Sequence, residues 1–257
     1  DGSGDVKITI AADNALSYKV DYDANNAVDL VYLPTGSVTK KYTTIGTNTY
    51  RITAVAYGKG GTSSTITKDI TVKSDFIPDP AIVSNVTGGT SKTWVVDKSV
   101  AGHFGVGPWS NTSLTPEWWS ASVNEKVGCC NCFYTATFKF TKVSSTSYTL
   151  DVTSPDGAFT KTGPNASLPG IPASGDEGCY SYGGGTGSFS FVPSGTSIPA
   201  STPSTKTSIL IGGSTTYIGY GSLQKEYEIL VSTPTYLYLR VQGTETGNAW
   251  YIKLKAL

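Results

Sequence analysis

Read as apolar and polar positions, the chain alternates in steps of two almost throughout. Residues 5–74 run through VKITI, ALSYKVDY, VDLVYL, NTYRITAVAY and ITKDITV, with turn residues such as Pro34-Thr35-Gly36 and Gly58-Lys59-Gly60-Gly61 between them. Such alternation lays one face of an extended strand on a core and leaves the other in water. Short strands joined by short turns predict a small sandwich over residues 1–75. Pro78 and Pro80, in Phe76-Ile77-Pro78-Asp79-Pro80, restrict the backbone and interrupt strand pairing, which predicts a stiff linker over 76–81.

From 82 to 257 the strand signals continue through KTWVVD, CFYTATFKFTK, SYTLDVT, GSFSFV, TSILIGG, YIGYG, KEYEILVS, YLYLRVQG and AWYIKLKAL. No segment holds a 3.6-residue apolar period over three turns. The expectation is an all-β chain whose second, larger domain is a two-sheet sandwich of jelly-roll type. The connection 157–187, rich in glycine and proline, is too long for a plain turn, and loops of that length tend to carry function.

Composition narrows the class. Charged residues make up 15% of the 257 positions, well under the roughly 25% of an average soluble protein. With 29 glycines and 16 tyrosines, this is the balance of an extracellular β-protein. Nineteen basic and nineteen acidic residues cancel, so no field draws nucleic acid or an anionic membrane, and nucleic acid is excluded as a partner. There is no run of 18 apolar residues, no basic-then-apolar leader after Asp1 and no methionine, as expected of a mature secreted chain or of an excised part of a longer one, and a monomer is expected. The four cysteines then favour disulfides over a metal site, since Cys129-Cys130-Asn131-Cys132 lacks zinc-ribbon spacing. Cys179 should pair with one of Cys129, Cys130 and Cys132, which one being open, and no metal or cofactor is called for.

Candidate chemistry concentrates in 94–134, which holds four of the five tryptophans, the only histidine and three of the cysteines. Strand parity places Trp94 with Val96, and Trp250 with Ile252 and Leu254, in the core. Trp118 and Trp119 are adjacent, so one turns inward and the other outward. Trp109 follows Gly107-Pro108 and precedes a polar loop, which makes it the first choice for a flat ligand platform. His103 has no Gly-x-Ser-x-Gly serine to serve as a triad base. The glycines around it, and Gly183-Gly184-Gly185-Thr186-Gly187, lack the order or the lysine of a nucleotide loop. Glu226 and Glu228 share a strand face, as a glycosidase pair could. Parity buries Tyr227, Ile229 and Val231 instead, leaving both glutamates in solvent, and Asp176-Glu177 point oppositely.

A sugar face covering about 100 Å² of an indole contributes roughly 2 kcal/mol. Two or three such platforms must offset an association cost of about 4 kcal/mol or more, which leaves micromolar to millimolar affinity. Neutral, hydroxyl-rich and amide-rich loops suit an uncharged glycan.

Two resemblances sharpen this. The stretch 42–56, YTTIGTNTYRITAVA, with Gly60-Gly61 and Asp69-Ile70-Thr71-Val72 after it, resembles PKD domains, although Leu33-Pro34-Thr35-Gly36 stands where that family has Phe-Gly-Asp-Gly. That family is immunoglobulin-like, which implies an immunoglobulin-like sandwich for residues 1–75, and in it such domains are most often spacers. Asp97-Lys98, the run Ala101-Gly102-His103-Phe104-Gly105-Val106-Gly107-Pro108, Pro116-Glu117-Trp118-Trp119-Ser120-Ala121 and Asn124-Glu125-Lys126 are similar to a C-terminal domain of surface glycan-binding proteins from Bacteroidota polysaccharide-utilisation systems. Ile218-Gly219-Tyr220, Tyr227-Glu228-Ile229-Leu230, Leu239-Arg240 and Ala249-Trp250-Tyr251 agree with it too, while Cys129-Cys130-Asn131-Cys132-Phe133-Tyr134 replaces an aspartate-rich segment. The resemblance implies a non-catalytic outer-membrane lipoprotein, its lipidated cysteine ahead of Asp1, that captures β-glucan of β-1,3 or mixed linkage for a TonB-dependent importer. The candidate ligand contacts are Trp109, Trp118, Trp119, His103, Tyr182 and Tyr220. The alternatives are a glycoside hydrolase using Glu226 and Glu228, and a structural or adhesive surface protein.

Overall fold

A computed structural model describes every residue except 26, 27, 111, 113 and 197–202. The chain divides into two compact units, 1–77 and 78–257. In the first, β1 (Asp5–Thr9) pairs with β4 (Ser37–Lys41), while β3 (Val31–Leu33), β2 (Ser17–Asp21), β5 (Gly46–Tyr57) and β6 (Ser63–Ser74) form a four-stranded sheet in that order. Ile8 of the small sheet joins Val20, Leu33 and Ile52 of the large one in a single apolar cluster, as the alternation predicts. The Tyr42 hydroxyl donates to the Tyr22 carbonyl at 2.8 Å, and burial pushes its pKa up to about 12.

The second unit opens on a short helix, α1 (Pro80–Thr87), which starts at the end of the stretch expected to be linker. Asp79 caps it by accepting the Ala81 N–H at 2.8 Å, Pro80 stands in the first turn, and Gly88 ends it at φ 64°. Asp-Pro therefore acts as a helix start rather than a spacer.

Eight strands follow one another around a closed ring: β7 (Ser91–Val96), β10 (Thr137–Lys142), β11 (Tyr148–Thr153), β14 (Gly184–Pro193), β15 (Thr207–Ile211), β16 (Leu223–Ser232), β17 (Tyr236–Gly243) and β18 (Asn248–Ala256). Each pairs antiparallel with the next, and β18 returns to β7, with Leu254 opposite Val96. The expected two-sheet jelly roll thus gives way to an up-and-down barrel, which leaves the ring without an exposed edge. Trp94, Phe138, Leu150, Phe189, Ile209, Tyr227, Leu239 and Ile252, one from each strand, fill the interior and are buried. Eight strands enclose a space just wide enough for side chains, so the barrel is a core.

Shorter elements finish the unit. β8 (Phe104–Pro108) pairs with the first half of β18, and β9 (Trp119–Ser120) pairs with β8, extending the sheet beyond the ring. Where β18 enters the barrel, rings gather around Phe104: Trp250 stacks on it at 4.8 Å, and Phe133 and Tyr220 lie at 4.8 and 5.3 Å. α2 (Val127–Cys130), α3 (Cys132–Thr135) and the hairpin of β12 (Ala158–Thr160) with β13 (Gly178–Tyr180) lie in this region. Cys132 is bridged to Cys179, joining α3 to β13 as the expected pairing requires, and Cys129 is bridged to its neighbour Cys130.

The glycines of β8 have a packing cause. A Cβ on Gly105 would lie 2.6 Å from Cβ of Pro116, and one on Gly107 would lie 2.8 Å from the Thr115 carbonyl oxygen. Bare backbone at both positions lets residues 115–119 return flat across β8, where the Trp118 N–H donates to the Val106 carbonyl at 3.0 Å. Two of the segments that carry the resemblance, around 105–107 and 116–119, therefore pack on one another.

Candidate functional site

On the outer wall of the barrel, register places Glu228 of β16 opposite Arg240 of β17, Arg240 opposite Tyr251 of β18, and Tyr251 opposite Gly105 of β8. Outward positions on a barrel are ordinarily wet. Here the chain after β8 folds over them: the Trp109 N–H donates to the Gly247 carbonyl at 2.9 Å, and Trp109 and Leu114 pack on Leu230, Ala249 and Tyr251. Asn111 and Ser113 of this polar loop lie outside the described residues.

Beneath that cover, Glu228 is 2% exposed and Arg240 is fully buried. Arg240 Nη1 donates to Glu228 Oε2 at 2.8 Å, Nη2 donates to the Ser110 carbonyl, and the guanidinium carbon sits 4.2 Å from the Trp109 ring centre. The Thr196 hydroxyl donates to Glu228 Oε1. A buried ion pair contributes little net stability. Its evident effect is positional, because one guanidinium holds the loop backbone and the indole together.

Beside Trp109 opens a cleft of about 260 Å³, lined also by Thr196, Gln224, Glu226, Glu228 and Gln242. Glu226 Oε1 accepts the Gly195 N–H at 2.6 Å. The side-chain amide of Gln242 donates to the Thr246 carbonyl at 2.5 Å, which leaves its own carbonyl as an acceptor. An indole wall over acceptor groups is suited to a ligand with an apolar ring face and hydroxyl edges. A broader depression of about 570 Å³ on the first unit, between 12–16 and 57–64, contains Tyr57 but no tryptophan.

Of the six expected ligand contacts, the structure brings only Trp109 into the cleft. Trp118 is the outward member of its pair, 57% exposed. Trp119 is half-buried, edge-on to Phe104 at 5.8 Å with the Lys126 ammonium 5.1 Å from its ring centre. Trp94 and Trp250 are core, as parity predicts. His103 is fully buried, Nδ1 2.7 Å from the Val100 carbonyl and Nε2 2.7 Å from the Tyr134 hydroxyl. Burial lowers its pKa, opposed by the Val100 carbonyl and the charges of Asp97 and Glu125. Tyr220 is also buried, its hydroxyl donating to Glu177, and burial followed by that charge raises its pKa. His103 and Tyr220 therefore leave the ligand set: the ring cluster and its hydrogen bonds enclose them. Tyr182 is half-buried and donates to the Thr215 carbonyl at 2.6 Å.

The carboxylates need a correction too. Tyr227 and Ile229 are buried as parity predicts, but Val231 is 40% exposed, past an irregularity in the β16–β17 register, and Glu228 is enclosed rather than in solvent. The reason is the Arg240 partner and the loop above it. Sequence reasoning missed Thr196, Gln224, Arg240 and Gln242. Their signal was polar residues in adjacent strands, and only the register shows that they meet. Among the described residues, no three His, Cys, Asp or Glu side chains gather to hold a metal ion.

No protein-family model matches the chain, and neither does any curated protein. One solved structure to which the chain is similar is described as "Structural basis for the promiscuous specificity of the carbohydrate-binding modules from the beta-sandwich super family". It is 12% identical, with 98% of this chain and 84% of that one covered, at a TM-score of 0.23, a likeness too loose to add to the geometry above.

Proposed function

We propose that this protein binds a neutral polysaccharide at the Trp109 cleft without hydrolysing it. The observation that carries the reading is an indole, anchored from behind by a buried guanidinium, standing beside a cluster of acceptors. Stacking on such a ring contributes roughly 2 kcal/mol at about 25 cal/mol/Å². Hydrogen bonds to hydroxyl edges add about 1 kcal/mol each, so weak, chain-length-dependent binding is expected. The choice of a β-1,3 or mixed-linkage β-glucan, the outer-membrane lipoprotein setting and delivery to a TonB-dependent importer rest on the resemblance set out above.

Hydrolysis is the second reading, because Glu226 and Glu228 line one cleft. A glycosidase needs two carboxyl groups, each free to act, one as acid and one as base or nucleophile. Both oxygens of Glu228 are engaged, one by Arg240 and one by Thr196, so the pair does not present that arrangement. Affinity electrophoresis and calorimetry on a panel of soluble polysaccharides, with reducing ends measured in parallel, test the proposal. Binding without sugar release, weakened by roughly 1 to 3 kcal/mol in Trp109→Ala, is the expected result. Sugar release abolished by Glu228→Gln would establish the hydrolase, and no binding to any polymer would leave a structural or adhesive role.

A further inference from the structure

We infer that Glu226 selects the ligand of this cleft, accepting hydroxyls from adjacent ring carbons of a neutral sugar and turning away sugars that carry carboxylate or sulfate. The inference rests on the glycan reading and specifies its substrate class.

Charge at the cleft leads to it. Two carboxylates line it, and no lysine or arginine among the described residues does. Glu228 is neutralised from below, where Arg240 is itself taken up by Glu228, the Ser110 carbonyl and the Trp109 face. Among the described residues, Glu226 receives only the Gly195 N–H, on Oε1. An ionised carboxylate offers roughly four lone-pair sites, so most of its accepting capacity is open to the cleft. The Gly195 N–H, at 2.6 Å, also fixes where that carboxylate stands beside the cleft.

Such a group recognises vicinal hydroxyls well. Two O–H donors on neighbouring ring carbons match the two oxygens of one carboxylate, and charge-assisted hydrogen bonds are about twice as strong as neutral ones. Trp109, in the same cleft, would stack on the apolar face of the same ring. A uronate or sulfate ester would instead bring a second negative charge beside Glu226, with no lysine or arginine among the described lining residues to offset it, and like-charge juxtaposition is an effective means of rejection.

The test compares one backbone in two charge states: mixed-linkage β-glucan, and the same polymer partly oxidised at C6 to the carboxylate. Dissociation constants are measured by calorimetry at low and moderate salt for wild type, Glu226→Gln, Glu226→Asp and Trp109→Ala, with a thermal melt of each. Wild type should prefer the neutral polymer by about tenfold or more, less so as salt rises. Glu226→Gln should lose about tenfold for the neutral polymer and bring the two affinities together. Glu226→Asp, which keeps the charge but shortens the reach, should weaken binding while preserving the preference, and Trp109→Ala should weaken both polymers alike. A folded Glu226→Gln with wild-type preference overturns the assignment, whether or not its affinity has fallen. Wild type that binds neither this polymer nor any neutral glycan of the wider panel overturns the glycan reading itself, and the assignment with it.

Discussion

Arg240→Met is the sharpest test of how the site is held. The substitution keeps a long apolar stem but removes the cation from a fully buried position. Glu228, 2% exposed, then loses its 2.8 Å partner and is left with the Thr196 hydroxyl alone, while the Ser110 carbonyl loses its donor and Trp109 the charge on its face. Breaking a buried pair by removing one partner costs about 3 to 5 kcal/mol, because the remaining charge is uncompensated. Glu228→Gln in the same chain removes that charge, so the double variant should recover all but about 1 to 2 kcal/mol, the worth of the lost hydrogen bonds and cation–π contact. Urea unfolding followed by intrinsic fluorescence suits the question, since all five tryptophans, at 94, 109, 118, 119 and 250, lie in the second unit. A single variant that loses less than about 1 kcal/mol, or a double variant as damaged as the sum of the two singles, would refute the buried pair as described.

Three further outcomes follow from the geometry. His103 is the only histidine, and burial lowers its folded-state pKa, so below the unfolded value of about 6.5 the unfolded chain binds more protons and stability falls with pH; melts of the second unit from pH 7 to 5 should show a slope that His103→Gln flattens, and equal slopes would disprove the link. Cys132 and Cys179 close a loop with a sequence separation of 47, worth about 4 kcal/mol in chain entropy; the Cys132→Ala, Cys179→Ala pair should unfold at markedly lower urea, and a midpoint within error of wild type would contradict it. Gly107→Ala should push the returning 115–119 segment off β8 and weaken glycan binding in calorimetry without changing the far-ultraviolet circular dichroism of the barrel; full affinity would show that the close approach does not set the loop.

Where local geometry decides an outcome, the sequence was legible. Parity alone places Trp94 and Trp250 inside and makes Trp118 and Trp119 opposites, because successive side chains on a strand point apart whatever the strand belongs to. The same alternation serves a sandwich and a barrel equally. Closure depends on β18 finding β7 across most of the second unit, a pairing that no local pattern carries. The site escapes for a related reason. Glu226 and Glu228 read as solvent-facing polar positions, and with Arg240 and Gln242 they lie on the outer wall; what parity cannot show is that a loop from near residue 109 returns to roof them. That roof depends on Gly105 and Gly107, which read in sequence as a failed nucleotide fingerprint and serve in the fold as clearance for Pro116 and Thr115. A tryptophan with no apolar alternation around it was the one local clue, and Trp109 packs against the outer face of the barrel rather than in its core. In a barrel filled by its own side chains, binding has to be built on the wall, from outward polar residues that the fold itself covers in part. Glu228 and Arg240 are the covered part, and Glu226, Gln224 and Gln242 are what the cover leaves open to a ligand.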